Sequence, residues 1–413
     1  MYLWLSILAG MTSARTGMPP RFDARDPAVL ADPYPTYAAL RAAGPLCRMG
    51  PGSWGVTRYA DVARLVRDPR LGSEFPAAYH RMSAGDGAAG DFFGSIILYR
   101  DPPEHGRLRR LMAKAFSPAL VRRLRPRIEQ MVTELLAPAT RTGGFDAVSD
   151  LAFPLPVMVV CALMGIPPAD HERIRPYALD LSKAFAAIVP DDDRPAADRA
   201  VEWLRGYLGD ILDRRRAEPG EDLLSRMLAA TDDDGAVLDH DEIVDNAVFA
   251  FFAGFETTTN LIATGVAALL DHPDQLALLR SDPTLTPRAV EEFLRYDAPI
   301  QGVARLARED LDVGDRTIRA GRVLILLLGS ANRDPDQFAA PDRLDITRAE
   351  NPHLSFGGGI HHCLGGYLAR VEAQVAFETL LRTFGTLTPA GPAHRQTDGT
   401  LRSYASVPVA VRP

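Results

Sequence analysis

The stretch Ser355–Arg370, SFGGGIHHCLGGYLAR, places Cys363 between a glycine-rich loop and a predicted helix. Apolar residues recur at three- and four-residue spacing from Leu364 to about Thr383, which predicts that helix. The first turn of a helix carries unpaired N–H groups and a partial positive charge. Both favour a thiolate, so we expect a lowered pKa for the cysteine thiol. The loop therefore presents one sulfur anion, for which a metal is the expected partner.

Three interpretations of Cys363 are open from the residues alone. A lone cysteine is most often a buried structural residue, but the flanking glycines argue against simple packing. A zinc site is the second interpretation, although adjacent His-His-Cys is poor geometry for one tetrahedral ion and no CxxC pair accompanies it. The third is axial ligation of haem iron by the thiolate. The histidines considered for zinc are His353, His361 and His362.

The spacing of this stretch matches Phe-Gly-x-Gly-x-His-x-Cys-x-Gly, with six residues fixed within ten. In this it resembles the cytochrome P450 haem-thiolate monooxygenases. The resemblance implies that Cys363 is the axial ligand of the iron in haem b and that His361 binds a haem propionate, whereas His362 is not a ligand. The residues of the motif, all expected to contact the cofactor, are Phe356, Gly357, Gly359, His361, Cys363 and Gly365.

The longest predicted helix begins after Asp239 and ends before Pro273, with Asp239 and Glu242 forming a capping box at its start. Its middle, AGFETT at 253–258, is unusual for a buried helix. Glycine costs about 1 kcal/mol relative to alanine, and a threonine hydroxyl bonds the carbonyl of the preceding turn. A buried threonine run tolerated by packing is the simplest explanation of these residues taken alone.

The resemblance assigns this segment to oxygen activation, because the family pattern is Ala-Gly-x-(Asp/Glu)-Thr-Thr and the sequence conforms to it. It implies that Ala253 and Gly254 allow the helix to pass close to the haem. Thr257 is then the residue that hydrogen-bonds dioxygen and its waters, and Glu256 relays protons from solvent. These two residues are the predicted catalytic residues.

Cationic residues elsewhere are expected to hold the two haem propionates, because buried carboxylates need cationic or hydrogen-bonding partners. His105 and Arg109 lie four residues apart on one face of a predicted helix, where a solvated basic face is the simpler interpretation. The family's His-x-x-x-Arg falls on these two residues, and Arg305 matches a third propionate ligand. A docking face for an acidic electron donor is expected on the same helix, formed by Arg107, Arg110 and Lys114.

Glu292 and Arg295 lie three residues apart on a helix predicted from about Pro287. Such a pair is common on protein surfaces, where it contributes a few tenths of a kcal/mol. The family's Glu-x-x-Arg falls on these residues and is buried on the thiolate side of the haem. The resemblance implies that Arg343, in the sequence PDR, completes this structural set.

The segment 72–94 is rich in glycine, alanine and serine with aromatic residues interspersed, which predicts a long loop over an apolar ligand. In the resembled family this loop covers the substrate, and residues 169–205 form a mobile helix pair over the pocket entrance. The aromatic residues indicate a hydrophobic or aromatic substrate. The residues predicted to line the pocket are Phe92, Phe93, Ile97, Phe249, Ile300, Val303, Tyr404 and Ala405.

The composition is that of a large globular protein. The chain has 413 residues, 46% of them hydrophobic, and a net charge of -7, which does not favour a nucleic-acid partner. Three cysteines predict a reducing compartment without disulfides. The apolar start of about ten residues is too short for a membrane span, which needs roughly twenty. We therefore expect a cytoplasmic protein with no membrane span.

The resemblance covers the chain after about residue 20 and implies a mainly α-helical fold with small β-sheets, in the α+β class. Residues 21–413 are expected to form a single cytochrome P450 haem domain, and residues 1–20 a disordered N-terminal extension. A β-hairpin is predicted around Pro51-Gly52, and further strands between 305 and 328. The protein is expected to be a monomer.

The implied function is that of a monooxygenase, which inserts one oxygen atom of O2 into a C–H bond of a largely hydrophobic small molecule. Hydroxylation or epoxidation in the biosynthesis of natural products such as antibiotics is expected, on a substrate that is free or bound to a carrier protein. Electrons are expected from a ferredoxin and its NAD(P)H-dependent reductase, with no flavin or iron–sulfur cluster in this chain. The alternatives are an oxidase that couples or desaturates its substrate, and a haem-thiolate sensor, which would not need Glu256 and Thr257.

Overall fold

The computed structural model describes residues 19–186, 188–232, 235–396 and 401–412, so residues 1–18 of the predicted N-terminal extension lie outside the described residues. The α-helices are α1 (Pro27–Ala31), α2 (Tyr34–Ala43), α3 (Tyr59–Leu65), α4 (Ala77–Ala84), α5 (Ala88–Phe92), α6 (Glu104–Ala115), α7 (Pro118–Leu136), α8 (Ala139–Thr142), α9 (Pro154–Met164), α10 (His171–Ala184), α11 (Arg194–Ala217), α12 (Leu223–Ala229), α13 (His240–Asp271), α14 (Pro273–Ser281), α15 (Thr286–Tyr296), α16 (Leu328–Ala331) and α17 (Gly366–Thr383).

The strands form small sheets at the edge of the helical part, which confirms the predicted mainly α-helical fold. They are β1 (Leu46–Gly50), β2 (Ser53–Val56), β3 (Leu71–Gly72), β4 (Gly144–Asp146), β5 (Val303–Ala307), β6 (Leu311–Val313), β7 (Arg316–Ile318), β8 (Val323–Leu326), β9 (Thr386–Pro389), β10 (His394–Gln396), β11 (Ser403–Ser406) and β12 (Pro408–Arg412).

The five-stranded sheet has the order β1-β2-β8-β5-β3, and the predicted hairpin at Pro51-Gly52 is its β1–β2 pair. Strand β2 runs parallel to β8, and the remaining pairs in this sheet are antiparallel. Strand β5 carries Arg305, which lies opposite Leu324 in the register with β8. A second sheet has the order β4-β12-β9 and joins the C-terminal segment to the helical part.

Helix α13 is the central element of the helical core. It has 32 residues, so it is about 48 Å long. The predicted capping box is present: the Asp239 side chain accepts from the Glu242 N–H, and the Glu242 side chain accepts from the Asp239 N–H. Helices α9, α11, α15 and α17 all pack against α13. A helix enclosed in this way can be apolar on nearly every side.

The predicted loop at 72–94 is partly helical, because α4 and α5 lie within it. Alanines at the start of both helices favour helix formation. The phenylalanines of the segment, Phe75, Phe92 and Phe93, are buried. Phe93 lies edge-on to Phe185 at the end of α10, with ring centroids 5.2 Å apart. The segment is therefore an ordered cover that is attached to α10.

Helices α10 and α11 pack side by side and are joined by stacked aromatic rings. Tyr177 and Trp203 stack at 4.0 Å and 2°, and Trp203 stacks on Tyr207 at 5.0 Å and 7°. The Tyr207 hydroxyl donates to Asp170, just before α10, at 2.6 Å. The chain enters this pair through Gly165, whose φ of 72° ends α9. The pair is thus strongly tied internally and connected to α9 by a short turn.

One helical stretch of the described chain, Ala147–Met164, is long and apolar enough to cross a membrane by composition. It consists of a π-helical segment, Ala147–Ala152, followed by α9. Of this stretch, 61% is buried inside the protein, and α9 packs against α7 and α13. This is the arrangement of a core helix.

Helix α15 supports the Cys363 loop through a buried ion pair. Arg295 Nε and Nη2 donate to the two carboxyl oxygens of Glu292 at 2.8 and 2.7 Å, and both side chains are 0% exposed. The rest of the guanidinium donates to the carbonyls of Asn332, Pro341 and Arg343. These carbonyls belong to the segment that leads to Cys363, so the ion pair fixes the path of that segment.

The prediction that Arg343 completes the ion-pair set is wrong for its side chain. Arg343 is exposed and contributes its carbonyl oxygen alone to Arg295. Arg348 takes the predicted place, because its Nε lies 3.2 Å from Glu292 Oε2. The turn around Asp345 brings Arg348 back over α15, and the Asp345 N–H also donates to Glu292.

Glu291, which precedes Glu292 on α15, makes a second set of contacts that hold the Cys363 loop. Glu291 accepts two hydrogen bonds from Arg370 of α17, at 2.7 and 2.9 Å, and pairs with His353 Nε2 at 3.0 Å. Burial alone raises the pKa of Glu291, but His353 and Arg370 outweigh it and lower the pKa to about 2. Arg370 in turn lies over the Phe356 ring at 4.3 Å. Both ends of the loop are therefore tied to α15.

We expect Arg295→Met to lower the free energy of unfolding by about 3–5 kcal/mol, because it leaves the Glu292 carboxylate buried without its main partner. Urea unfolding of the two purified proteins measures the difference. Arg288→Met is the matched control, since Arg288 is on the same helix and exposed. Equal losses in the two variants would contradict a special role of the ion pair.

Candidate functional site

The Cys363 loop is a tight turn that its glycines make possible. Gly357 and Gly359 have φ values of 68° and 64°, a region that side chains rarely adopt. A Cβ on Gly359 would lie 2.9 Å from Val66 O, so the loop also packs directly on the residue that follows α3. The Cys363 N–H donates to Phe356 O at 3.0 Å and closes the turn.

Cys363 lies just before α17, which begins at Gly366, two residues later than the sequence pattern predicted. Its side chain has accessible surface although protein surrounds it, so this surface faces an internal cavity. The expected lowering of its pKa is wrong for the protein alone. Burial raises the pKa of the thiol, although the N–H groups of Gly365 and Gly366 and the charge of Arg109 oppose this. A metal cation at the sulfur would reverse the balance.

One face of α13, like the side chain of Cys363, has accessible surface inside the protein. Most of its residues are buried, but a group near its middle is partly accessible while the helix itself is enclosed. Residues four apart lie on one face of a helix, so Ala253 and Thr257 are neighbours there. The partly accessible group consists of Phe249, Ala250, Ala253, Gly254, Glu256 and Thr257.

The two predicted catalytic residues have defined partners. Thr257 Oγ1 donates to Ala253 O at 2.9 Å, the bond to the preceding turn expected of a helical threonine. Glu256 Oε2 lies 2.8 Å from Ser182 Oγ of α10. Burial raises the pKa of Glu256, and the hydrogen bond from Ser182 opposes this shift. The pair thus combines a hydroxyl with a carboxyl that tends to hold its proton.

Gly254 also has a packing role that was not predicted. A Cβ at this position would lie 3.0 Å from Val160 Cγ2 on α9. The glycine therefore permits close packing of α13 on α9, and its missing side chain points at a neighbouring helix.

The predicted propionate ligands form a cationic cluster beside the loop. The rings of His105 and His361 lie 4.2 Å apart, and burial together with His361 and Arg109 lowers the pKa of His105 to about 4. Burial also lowers the pKa of His361 and of Arg305. Arg109 Nη2 donates to the carbonyl of His362, directly before Cys363. Four nitrogen-bearing side chains therefore converge near the sulfur.

Within the described ranges the two arginines of this cluster are not neutralised by ion pairs. Arg109 and Arg305 make no ion pair there, and His361 Nε2 is buried without a hydrogen-bond partner. The nearest carboxylate, Asp101, is 3.9 Å from His361 Nε2, and it is engaged by Arg308 and by the N–H groups of Ser73 and Glu74. Two arginines without ion pairs and a histidine nitrogen without a partner, all beside a sulfur ligand, fit haem, which carries two carboxylates and an iron.

The zinc interpretation is wrong for the described part of the chain. It contains no group of three or more His, Cys, Asp or Glu side chains that could hold a metal ion. His353 uses one ring nitrogen for Glu291 and the other for the Ser355 N–H. It therefore has no free nitrogen for a metal shared with Cys363.

The predicted pocket residues differ in how accessible they are. Phe249, Ile300 and Val303 are partly accessible, whereas Phe93 and Ile97 are nearly buried. One assignment is wrong, because Phe92 is 0% exposed and has no surface for a ligand. Ala405 is exposed, and Tyr404 borders another cavity.

The cavity beside Tyr404 has a volume of about 500 Å³ and lies near the end of α13. Its lining includes Asp297, whose carboxylate binds Arg395, Arg402 and the Tyr34 hydroxyl. Because it shares no residue with the accessible face of α13 or with the Cys363 loop, this cavity is separate from the candidate site.

The basic face predicted on α6 is largely neutralised. Arg107 binds Glu104 and Glu242, which ties α6 to the start of α13. Arg110 lies 3.3 Å from Asp232, and Lys114 donates to Thr231 O. These side chains brace α6 against the segment after α12.

Sequence reasoning missed two side chains that contact predicted site residues. Ser182 is one of many serines in amphipathic helices, and its pairing with Glu256 depends on how α10 crosses α13. Asp101 is held near His361 by the N–H groups of Ser73 and Glu74, which donate to its carboxylate. These residues follow β3 and lie far from Asp101 in sequence. Neither contact has a signal in local spacing.

Known proteins share both the sequence and the fold of this chain. A family model described as Cytochrome P450 matches residues 173–406. "Vitamin D(3) 25-hydroxylase" of Pseudonocardia autotrophica is 43% identical over 84% of this chain and 85% of its own length. "Nocardicin C N-oxygenase" of Nocardia uniformis subsp. tsuyamanensis is 40% identical over 93% of this chain and 96% of its own.

A solved structure supports the same conclusion at the level of the fold. P450BioI, determined in complex with an acyl carrier protein bearing hexadec-9Z-enoic acid, superposes with a TM-score of 0.87 and 34% identity. The match covers 93% of this chain and all of the other. A shared fold, sequence identity over most of both lengths, and a cysteine loop beside unpaired cations lead to one conclusion: the chain belongs to the cytochrome P450 family and is a monooxygenase of that family.

Proposed function

We propose that this enzyme inserts one oxygen atom of O2 into a C–H bond of a largely hydrophobic small molecule, by hydroxylation or epoxidation, in the biosynthesis of a natural product. The observation that carries this proposal is the accessible face of α13, where Glu256 and Thr257 stand together at an internal cavity. A haem protein that only sensed a ligand would not need this acid–hydroxyl pair.

When bound, haem supplies an iron centre at which O2 is reduced and activated. Cys363 Sγ is the proposed iron ligand, and the cationic cluster neutralises the propionates. Thr257 Oγ1 donates its hydrogen to Ala253 O, so on the cavity side it can accept a hydrogen bond from a water, and it can donate there when it gives up the bond to Ala253 O. Glu256, whose pKa is raised by burial, holds a proton that it passes towards Thr257 and regains from solvent.

The proposed substrate is apolar, because apolar side chains surround the accessible part of α13. Phe249 lies on that face, and Ile300 and Val303 are partly accessible on the segment leading into β5. The relatives named for vitamin D(3) and nocardicin C act on small organic molecules, which supports the same class here. The P450BioI complex supports a carrier protein as one way of presenting such a substrate.

We propose a ferredoxin, reduced by an NAD(P)H-dependent reductase, as the electron donor in the cytoplasm. Its docking site is the outer surface of the Cys363 loop. Ile360 and Tyr367 are exposed there, at 51% and 42%. Exposed Arg67 lies against Gly358 of the same loop. Apolar side chains beside a cation suit an acidic partner that must approach the sulfur closely.

We expect the reduced protein with bound CO to show the strongly red-shifted Soret band of thiolate-ligated haem. Cys363→Ala removes the only proposed iron ligand and should abolish this band. Cys47→Ala is the control, because Cys47 is buried in β1 and belongs to another cluster of the core. An unchanged spectrum in the Cys363 variant, or a colourless wild-type protein containing zinc, would overturn the assignment.

We expect Thr257→Ala to retain haem. The yield of product per NAD(P)H should fall by about tenfold or more, because the variant lacks the hydroxyl through which protons are delivered to O2. The missing electrons should appear as hydrogen peroxide, measured with any substrate that displaces the haem water. Thr257→Ser keeps the hydroxyl and should recover most of the coupling. If the alanine variant is as well coupled as the wild type, the relay role of Thr257 is wrong.

A further inference from the structure

The C-terminal part of α10 is hydrogen-bonded to the middle of α13. Ser182 Oγ lies 2.8 Å from Glu256 Oε2, across 74 residues of sequence. The same oxygen lies 3.3 Å from Ala178 O, in the preceding turn of α10. The Ser182 hydroxyl therefore stands between one carboxyl oxygen and one carbonyl oxygen.

An aromatic stack holds the two helices together next to this hydrogen bond. Phe185, three residues after Ser182, stacks on Phe252, four residues before Glu256, at 3.7 Å and 4°. Phe185 also meets Phe93 edge-on, so the covering segment around α5 is part of the same contact. The stack and the hydrogen bond lie on adjacent turns of both helices, and each requires that α10 rest on α13.

A serine hydroxyl has one hydrogen to donate and lone pairs to accept with. If Glu256 is neutral, its O–H donates to Ser182 Oγ, and the Ser182 hydrogen points at Ala178 O. If Glu256 is ionised, the Ser182 hydrogen turns to Glu256 Oε2. Burial raises the pKa of Glu256, so the carboxyl needs a partner that suits both states. Ser182 Oγ meets this need, because it lies within hydrogen-bonding distance of both Glu256 Oε2, at 2.8 Å, and Ala178 O, at 3.3 Å.

We propose that Ser182 is a positioning residue for proton delivery, which holds the Glu256 carboxyl in one orientation through both protonation states and so makes the relay depend on docking of α10 onto α13. The proposal rests on the proposed function, in which Glu256 passes protons towards Thr257. When Glu256 releases its proton, the Ser182 O–H turns to the carboxylate, and it turns back when Glu256 regains a proton from solvent. Ser182 keeps its own proton throughout, so no bond between heavy atoms forms or breaks.

The matched pair Ser182→Thr and Ser182→Val tests this, because the two side chains have nearly the same shape and differ in the hydroxyl. We expect the valine variant to lose about tenfold in product per NAD(P)H, as one hydrogen bond to an ionisable group is removed. The threonine variant should stay near the wild type. Should valine prevent haem incorporation, Ser182→Ala replaces it in the comparison.

The infrared absorption of the protonated Glu256 carboxyl, recorded in resting protein, gives a readout that does not depend on turnover. The band is assigned by its loss in Glu256→Gln. We expect it to shift in the valine variant, as the carboxyl loses a partner, and to return in the threonine variant. A general loss of packing would affect the valine and threonine variants alike.

Equal coupling and an equal band position in the two Ser182 variants would overturn the role of Ser182. If Glu256→Gln still lowers the coupling in that case, the proposed relay stands and Ser182 alone is excluded. If Glu256→Gln leaves the coupling unchanged, the relay itself is wrong, and the proposal for Ser182 falls with it.

Discussion

Burial of the Glu292 carboxylate is the constraint on which the thiolate side of the protein depends. An ionised carboxylate without access to water is costly unless charges and hydrogen bonds compensate it. Here the compensation comes from Arg295 on the same helix and from Arg348, Asn351 and the Asp345 N–H on the segment that leads to Cys363. Satisfying one charge therefore also sets the course of that segment. The position of the Cys363 sulfur therefore depends on the pairing of Glu292, which lies outside the candidate site.

At the candidate site, in contrast to Glu292, charged side chains among the described residues are left without ion pairs. Arg109 and Arg305 are partly or fully buried but make no ion pair within the described ranges, and His361 Nε2 has no hydrogen-bond partner there. Cations left unpaired inside a protein raise its free energy until an anion arrives. A cofactor with two carboxylates and a cationic metal supplies both missing charges, the anions for these side chains and the cation for Cys363. Because a group that binds only the folded state stabilises it, we expect cofactor binding and folding to be coupled in this chain.

Local patterns predicted much of this arrangement. Helix α13 with its capping box, the turn before α17 and the β1–β2 hairpin follow from periodicity, caps and glycines. Contacts set by the crossing of distant elements were not predictable in this way. Arg348 replaces Arg343 at Glu292 because of how one turn folds back, and the position of Tyr404 beside the cavity near the end of α13 depends on how β11 packs on that helix. The pKa of Cys363 also depends on how deeply the surrounding chain buries the thiol.

The stacked rings between α10 and α11 have a mechanical consequence. Tyr177 of α10 stacks on Trp203 of α11, and Tyr207 of α11 binds Asp170, so a bend within the pair would cost these contacts and a bend at the turn of Gly165 would not. Helix α10 has 14 residues and is about 21 Å long, so a rotation of about 10° at its base moves its far end by about 4 Å. That end carries Ser182 and Phe185. Because the hydrogen bond and the ring stack with α13 both lie at that end, a displacement of this size would break the two contacts together.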